Sequence, residues 1–412
     1  MAYQKVTTTS YGGRLKNALS GVGAGFIMLI LGTVLLFWNE YRTLNTNKML
    51  NEAQGKCIEL GDIQQIDAEK NGKMIHASGS AATDDILTDN QFGISVNAIK
   101  LFRSVEFYQW VQHTQSETKD KVGGGQETIH TNTYSKEWVG KPEDSSTFED
   151  PDYRGINNDV LLMVEDQTLK AQNVSFGAYV FPESLIDQMN DRQAFNIEIP
   201  QEVIDQYEAD FHRVYNVAAS QSFMHPSGNV LYIGVNANNP TVGDVRITYE
   251  QVLPGDVSIL AVVNGNTFEE YTYSKKDNYS LLTLRDGIVS MDEMFASERA
   301  ANKTMAWVLR LLGILLVFWG FKNIFNIITE LLKVLPFLGN IANLGVNLVA
   351  GVLAFAWSLI VIAIAWLTAR PLLGIILLAA AGALIWFLGK KSKEKKAAAA
   401  EAAPEVPQAP AE

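Results

Sequence analysis

Apolar positions along this chain fall into two blocks separated by a long polar stretch in which hydrophobic residues alternate. Ala18–Trp38, ALSGVGAGFIMLILGTVLLFW, runs 21 residues without a charge. At about 1.5 Å per residue, a helix of that length spans the roughly 30 Å of a hydrocarbon core. Lys5, Arg14 and Lys16 precede it, as in a signal peptide. The run nevertheless exceeds the usual apolar length of about 7–15 residues and ends in Phe37-Trp38-Asn39-Glu40 with no small-residue cleavage pattern, so it reads as a retained first span.

The second block fills the C-terminal quarter: Met305–Phe321, an uncharged run from Val334 to Ala369, and Pro371–Gly389. The 36 residues of the middle run would reach about 54 Å as one helix, so part of it lies elsewhere, and Pro336 with Gly339 marks the break. Ahead of the break Ile324, Ile327, Ile328, Leu331, Leu332 and Leu335 make one face, opposite Lys322, Asn323, Asn326, Glu330 and Lys333. The spacing predicts an amphipathic helix over 322–336 lying in the membrane interface; the alternative is a continuation of the preceding span inside the protein. With residues 18–38 as the first span, 305–321, 344–367 and 371–388 become the second, third and fourth.

Flanking charge orients these spans. Residues 1–17 carry three positive charges and no acid, and Lys390, Lys391, Lys393, Lys395 and Lys396 follow the last span, so both termini are expected in the cytoplasm and residues 40–303 outside it. This places Gly124 and the chain after Gly389 on opposite sides. Residues 390–412, Lys-rich and then Ala, Pro and Glu-rich, form an expected disordered cytoplasmic tail.

The polar stretch reads as mostly sheet. In Lys100–Gln112 the set Leu101, Arg103, Val105, Phe107, Gln109 and Val111 alternates with Phe102, Ser104, Glu106, Tyr108 and Trp110, which predicts a strand covered on both faces. Asn229–Asn236, Gly243–Gln251 and Val257–Val263 are similar runs bounded by Gly, Pro and Asn. Helical spacing occurs at 182–189, 201–211 and 290–300, and loops are expected between Ser116 and Asn158. A loose echo links Asn97–Trp110 with Pro240–Gln251. The fold class is therefore α+β: a multi-pass helical membrane protein with four transmembrane helices and a large mixed, strand-rich extracytoplasmic domain.

Composition narrows the function. Lys+Arg 33 against Asp+Glu 45 gives −12 over 412 residues, and residues 40–303 hold 21 basic and 40 acidic side chains, net −19. That balance argues against a nucleic-acid binder. The lone Cys57 excludes an internal disulfide and a multi-cysteine zinc site, and reads as a small hydrophobe. His76, His113, His130, His212 and His225 are scattered without an H-E-x-x-H, and neither a nucleophile elbow nor a P-loop is present. The acidic pairs Asp84-Asp85, Glu143-Asp144 and Glu149-Asp150 lack the spacing of a calcium loop and read as a solvated face. No catalytic residue, cofactor or metal is assigned.

The membrane block holds the more informative polar residues. Asn340, Asn343 and Asn347, continued by Gly351, form a stripe suited to helix packing, or alternatively to a polar path; Gly21 and Gly25 make a G-x-x-x-G. Arg310 lies shallow enough in its span to reach the headgroups.

One span, a large outer domain and three closely spaced C-terminal spans resemble the transmembrane protein 43 family, also called Luma. Segments that look like the family's are WNEYR (Trp38, Asn39, Glu40, Arg42), AIKLFRSVEFYQWV (with Glu106, Tyr108, Gln109, Trp110), YSKEW (134–138), SLIDQM (184–189), VGDVRITY (with Gly243, Asp244, Arg246), FASERAANKTMAWVLR (ending at Arg310) and the pair Arg370-Pro371. The stretch near Val122–Thr133 and the tail depart from that pattern. The resemblance implies a membrane-organising protein without an accepted catalytic site: in the endoplasmic reticulum or inner nuclear membrane of a eukaryote, in the inner membrane of a bacterium. The low pI and the Ala/Pro/Glu tail point to a bacterial member, for which nuclear-envelope partners do not apply.

The expectation is thus a non-enzymatic multi-pass scaffold, embedded in the lipid bilayer, whose outer domain binds a membrane-protein partner or forms a homo-oligomer. Two alternatives are a membrane-bound enzyme or lipid-handling protein with a fold-assembled site, for instance around Glu106 and His113, and a small-solute channel using the asparagine stripe.

Overall fold

The structure, a computed structural model, describes residues 2–367 apart from 158, 159, 217 and 219, together with scattered positions between 372 and 390. Its principal elements are strand β1 (Tyr3–Thr9), helix α1 (Tyr11–Lys56), strands β2 (Met74–Ala82), β3 (Lys100–Asp120) and β4 (Gln126–Val139), helix α2 (Gln201–Tyr215), strands β5 (Met224–Ser227), β6 (Val230–Ile233), β7 (Val245–Val252), β8 (Gly255–Asn264) and β9 (Thr283–Asp286), and helices α3 (Met291–Leu332) and α4 (Pro336–Leu367). Two compact units result. One comprises Met1–Thr7, Lys48–Glu117 and Thr128–Arg299; the other comprises Thr8–Asn47, Thr118–Glu127 and Ala300–Glu412. The class is α+β, and α1, α3 and α4 are long and apolar enough to cross a membrane.

The first unit is built on two sheets. The larger runs β1-β4-β3-β7-β6-β5, with short strands Gln167–Lys170 on β3 and Arg192–Ala194 on β7. The two segments with a loose sequence echo are hydrogen-bonded neighbours here, registered from Val245 opposite Phe107 to Val252 opposite Lys100. In the second sheet β8 pairs with β2 and β9. All of Val257–Val263 is buried because both faces of β8 are covered. Val257, Ile259, Ala261 and Val263 enter a core with Phe176, Tyr179 and Phe268, while Leu260 and Val262 meet Met49, Leu50 and Ala53 of α1 and Met294 and Phe295 of α3. The ends of the two apolar helices thus serve as the lid of a sheet.

The loops expected over 116–158 are instead partly strand: β3 and β4 form a long hairpin with its turn at Lys121–Gly125. Polar cross-strand pairs sustain it, Thr114 donating to Asn132 (2.6 Å) and Tyr134 to Gln112 (2.8 Å). The strand expected to be covered on both faces is so only at its start. Phe102 is buried in one core and Leu101, Val105 and Phe107 in the other, but from Ser104 onward the even-numbered face opens.

In the second unit α1 and α3 approach closely through glycines. A Cβ on Gly25 would lie 2.8 Å from the Gly320 carbonyl, one on Gly320 2.9 Å from the Gly25 carbonyl, and one on Gly32 3.0 Å from the Gly313 carbonyl. The seam therefore runs through Gly25 and Gly32 against Gly320 and Gly313. Gly21, expected to share it, meets nothing within 4 Å. Helix α3 continues unbroken to Leu332, so residues 322–332 do not form a separate interfacial helix. Their polar face has partners on α1: Asn323 donates to the Met28 sulfur, and Glu330 pairs with Arg14 at 2.6 Å. Helix α4 begins at Pro336, ahead of the expected 344. Of the expected fourth span, Leu372, Gly374, Ile375 and Ile376 are helical, whereas Arg370, Pro371 and residues 391–412 lie outside the described residues.

The hairpin turn belongs to this second unit. Arg14 donates to the Gly124 carbonyl (3.1 Å) and pairs with Asp120 (2.8 Å), and the Gly123 amide donates to the Val334 carbonyl (3.1 Å). Gly124 has φ +84°, and a Cβ there would strike the Tyr11 ring at 2.4 Å, so glycine is required twice over. Residues 1–17 also contribute β1 to the larger sheet. Arg14 and Gly124, assigned to opposite sides of the membrane by flanking charge alone, are bonded. The positive-inside pattern counts charges and is blind to such a contact.

Gly320→Val is expected to cost about 1–3 kcal/mol through overpacking of the seam. Gly21→Ala should be neutral or mildly stabilising, which thermal unfolding of the detergent-solubilised protein would distinguish. A sidedness reporter inserted at Gly124 tests this contact against the charge pattern: the side of a reporter ahead of Met1 would mean that the Arg14–Gly124 bond forms in the membrane, and the opposite side, which the flanking charges favour, that it does not.

Candidate functional site

The family-like residues of the strand-rich unit gather on one sheet. Alternation along β3 turns Val105, Phe107 and Gln109 into the core and leaves Glu106, Tyr108 and Trp110 half-buried on the opposite face. Register places Arg246 of β7 directly across from Glu106, and its Nε and Nη2 both reach Glu106 Oε2, at 2.8 and 2.7 Å. The guanidinium lies 4.4 Å from the Trp138 ring centroid, and Trp138 leans on Tyr108 at 5.1 Å. Further along the same strands Lys136 sits 5.2 Å over Trp110, which meets Tyr153 edge-on at 5.0 Å, and Tyr153 stacks on Tyr134 at 4.1 Å. The face is thus a ladder of aromatic rings capped by Arg246 and Lys136.

Beneath it the turn Gly243-Asp244 is held rigidly. Tyr108 ties both residues of the turn to β3: its carbonyl accepts from the amide of Gly243 (φ +102°) and its amide donates to the Asp244 carbonyl, both 2.9 Å. Buried Asp244 accepts from Tyr232 (2.5 Å), the Thr241 amide (2.7 Å) and the Thr241 hydroxyl (3.0 Å). Burial, then the adjacent Asp244 carboxylate, pushes the Tyr232 phenol well above its ordinary range. Gln109 is fully buried and accepts from the Glu143 amide at 2.6 Å, so it ties a loop down. Phe107, Gly140, Lys141, Pro142, Met163 and Asp166 line a cleft of about 660 Å³ in this unit.

Family-like residues of the helical unit converge too. Glu40 is 1% exposed and is gripped by Arg310 through Nε (2.5 Å) and Nη2 (2.8 Å) and by the Trp366 indole N–H (2.5 Å). Arg310, expected to reach the headgroups by itself, has a carboxylate partner on α1. Asn39 donates to the Ala306 carbonyl (2.9 Å), and Asn302 to the Thr43 carbonyl (3.1 Å). Trp38 is exposed beside an apolar groove and Arg42 is half-buried. At the far end of the same helices Arg14, Glu330, Asp120 and Lys333 form a mostly buried ion cluster beside a polar cavity of about 240 Å³, lined also by Gly21, Gln126, Asn323 and Asn326. Sequence reasoning missed this cluster; its one signal was Glu330, an acid in an apolar helix that needs a partner.

The asparagine stripe does not converge. Asn340 is exposed and Asn343 half-buried, Asn347 keeps a buried Oδ1 without a partner among the described residues, and a Cβ on Gly351 would meet only Phe318 at 3.9 Å. Glu106 and His113 are not brought together either. They are seven residues apart on one strand, about 23 Å, and His113 bonds Glu137 (2.7 Å) and Ser135. The other histidines have separate partners: His76 with Glu59 and the Val289 carbonyl, His130 with Ser116, His212 with the Gln221 carbonyl, His225 with the Gly234 carbonyl. Among the described residues no three acids, histidines or cysteines group as metal ligands. Asp144 and Asp150 accept from the backbone amide two residues on, a turn-capping role, and Asp85 accepts from the distant Gln172 and Asn173 amides and so pins one loop to another. Burial pushes the Cys57 thiol up to about 12, which suits an inert side chain.

The family described as Transmembrane protein 43 matches residues 107–371. The chain is 27% identical over 370 residues to transmembrane protein 43 of Rattus norvegicus, covering 87% of each chain. It is 27% identical over 382 residues to that of Homo sapiens (89% and 90% covered), and 28% over 377 to the Drosophila melanogaster homolog (88% and 93%). No solved structure matches. With more than half of its length matched by the family, this chain belongs to the transmembrane protein 43 family.

Proposed function

We propose that this membrane protein is a non-enzymatic scaffold whose strand-rich domain binds a partner protein or a second copy of itself through the aromatic face of β3, β4 and β7. The observation that carries the reading is the ladder from Arg246 and Trp138 to Trp110 and Tyr153, half-exposed and rimmed by cations. Tyr, Trp and Arg are the residues that anchor protein interfaces, because they bury large area at low entropic cost. The exposed Glu106–Arg246 pair contributes at most about 1 kcal/mol to folding, so stability alone gives little reason for it. The aromatic stacking gives the ladder rigid rings, ready for a partner without reordering.

The reading includes four spans, the fourth being residues 371–388, with both termini in the cytoplasm as their flanking lysines and arginines favour. It places the protein in the inner membrane if it is bacterial, as the composition of its tail favours, and in the endoplasmic reticulum or inner nuclear membrane if it is eukaryotic.

Crosslinking in intact membranes followed by mass spectrometry tests the proposal. Crosslinks to a partner or a second copy should concentrate at Lys136 and Lys141. The double substitution Trp110→Ser, Arg246→Glu should remove two anchors of about 2 kcal/mol each, a loss of roughly a thousandfold in affinity, while leaving the melting temperature near that of the parent. A monomer without crosslinks at this face, or an unchanged complex in the double variant, would overturn the reading.

A further inference from the structure

Helices α3 and α4 enclose a groove of about 330 Å³ whose two ends differ in chemistry. At one end stand Trp307, Arg310 and Trp366; away from them the walls are Leu311 and Ile314 on α3 and Phe355, Leu359 and Ile362 on α4. From Trp366 to Phe355 is eleven residues of helix, about 16 Å, close to the half-thickness of a hydrocarbon core of roughly 30 Å. The polar end lies beside Glu40, Asn39 and the Ala306 carbonyl, and two tryptophans at that level match the aromatic belt of a membrane interface.

The donors at this end are only partly used. Glu40 takes the Nε and Nη2 edge of Arg310, and among the described residues Nη1 has no hydrogen-bond partner. The guanidinium carbon lies 5.0 Å from the Trp307 ring centroid and 5.8 Å from that of Trp366, so it is held between two indoles. Trp307 is 61% exposed, and its indole N–H has no partner among the described residues. Two N–H groups of Arg310 and one of Trp307 thus point to an acceptor at the interface, directly above a slot lined by hydrocarbon. Because Glu40 already balances the charge of Arg310, the acceptor is held by its oxygens through hydrogen bonds, and the headgroup's net charge adds little selectivity.

We propose that this groove is a binding site for one glycerophospholipid: a single acyl chain lies between α3 and α4 along Ile314, Leu359 and Phe355, and the phosphodiester accepts from Trp307 and Arg310. The occupant follows from the surroundings. Both flanking helices turn apolar side chains outward, including Leu311, Leu312, Leu353 and Phe355, so the groove opens onto acyl chains and the phosphate level lies at its polar end.

The test uses the full-length protein extracted in mild detergent and examined by native mass spectrometry, before and after titration with phosphatidylcholine or phosphatidylglycerol vesicles. One phospholipid per chain should survive extraction and bind saturably, with less than a tenfold difference between the two headgroups. Leu359→Trp, which fills the slot, should lower retention at least tenfold. Trp307→Phe, which keeps the ring and removes the N–H, should lower it about threefold while leaving the melting temperature unchanged, so a folding failure of the first variant would not hide the result. Absence of retained lipid, binding that rises with lipid without saturating, equal retention in Leu359→Trp, or displacement by inorganic phosphate would each overturn the proposal.

Discussion

A carboxylate cannot sit among apolar helices unpaired, and α1 and α3 each carry one at an end of their apolar stretches. Glu40 of α1 is closed by Arg310 of α3; Glu330 of α3 is closed by Arg14 of α1. The charges are exchanged end for end between antiparallel helices, so any slip in register would part both pairs at once. Breaking either by removing one partner would leave a buried charge, worth about 3–5 kcal/mol. Between the clamps the glycines let the two backbones approach until a single Cβ would touch a carbonyl. Twenty-six residues separate Arg14 from Glu40, about 39 Å of helix, which is the hydrocarbon core with a margin at each end.

From this clamp the rest of the helical unit follows. The Glu330 end brings Lys333 and Asp120 into one network, and the glycine turn of the β3–β4 hairpin supplies carbonyls to Arg14. The Glu40 end collects the Trp366 indole and leaves an amphipathic groove along α4. The helices do not end there: beyond the apolar runs their outer turns become part of a soluble core, Met49 and Leu50 packing with Leu260 and Phe295. One helix is thus solvated by lipid along one stretch and by a β-sheet along the next, which explains why α1 reaches 46 residues.

In the strand-rich unit a different constraint rules. Alternation divides β3 into a buried face, which stabilises, and an open face, whose Glu106, Tyr108 and Trp110 add little to the core. Arg246 and Trp138 reach those open-face residues from other strands. The stacked rings and the cations over them hold that open face rigid.

Local pattern was enough to read three of the four expected apolar spans, the strand character of Lys100–Gln112 and of Val257–Val263, the α+β class and the family, because each depends on periodicity, length or short segments within one stretch of chain. Tertiary structure decided what those stretches touch. The echo between β3 and β7 became a pairing, and the amphipathic residues after Phe321 remained in α3 because Arg14 answers Glu330. The turn at Gly124 joined the membrane helices instead of a free loop. Gly25 found Gly320 across the seam, while Gly21, equally glycine, faces a polar cavity. Partners such as Glu40 with Arg310 stand 270 residues apart. Nothing local distinguishes a charge that will be paired from one that will be solvated, since the energy that separates them exists only once the chain has folded around both.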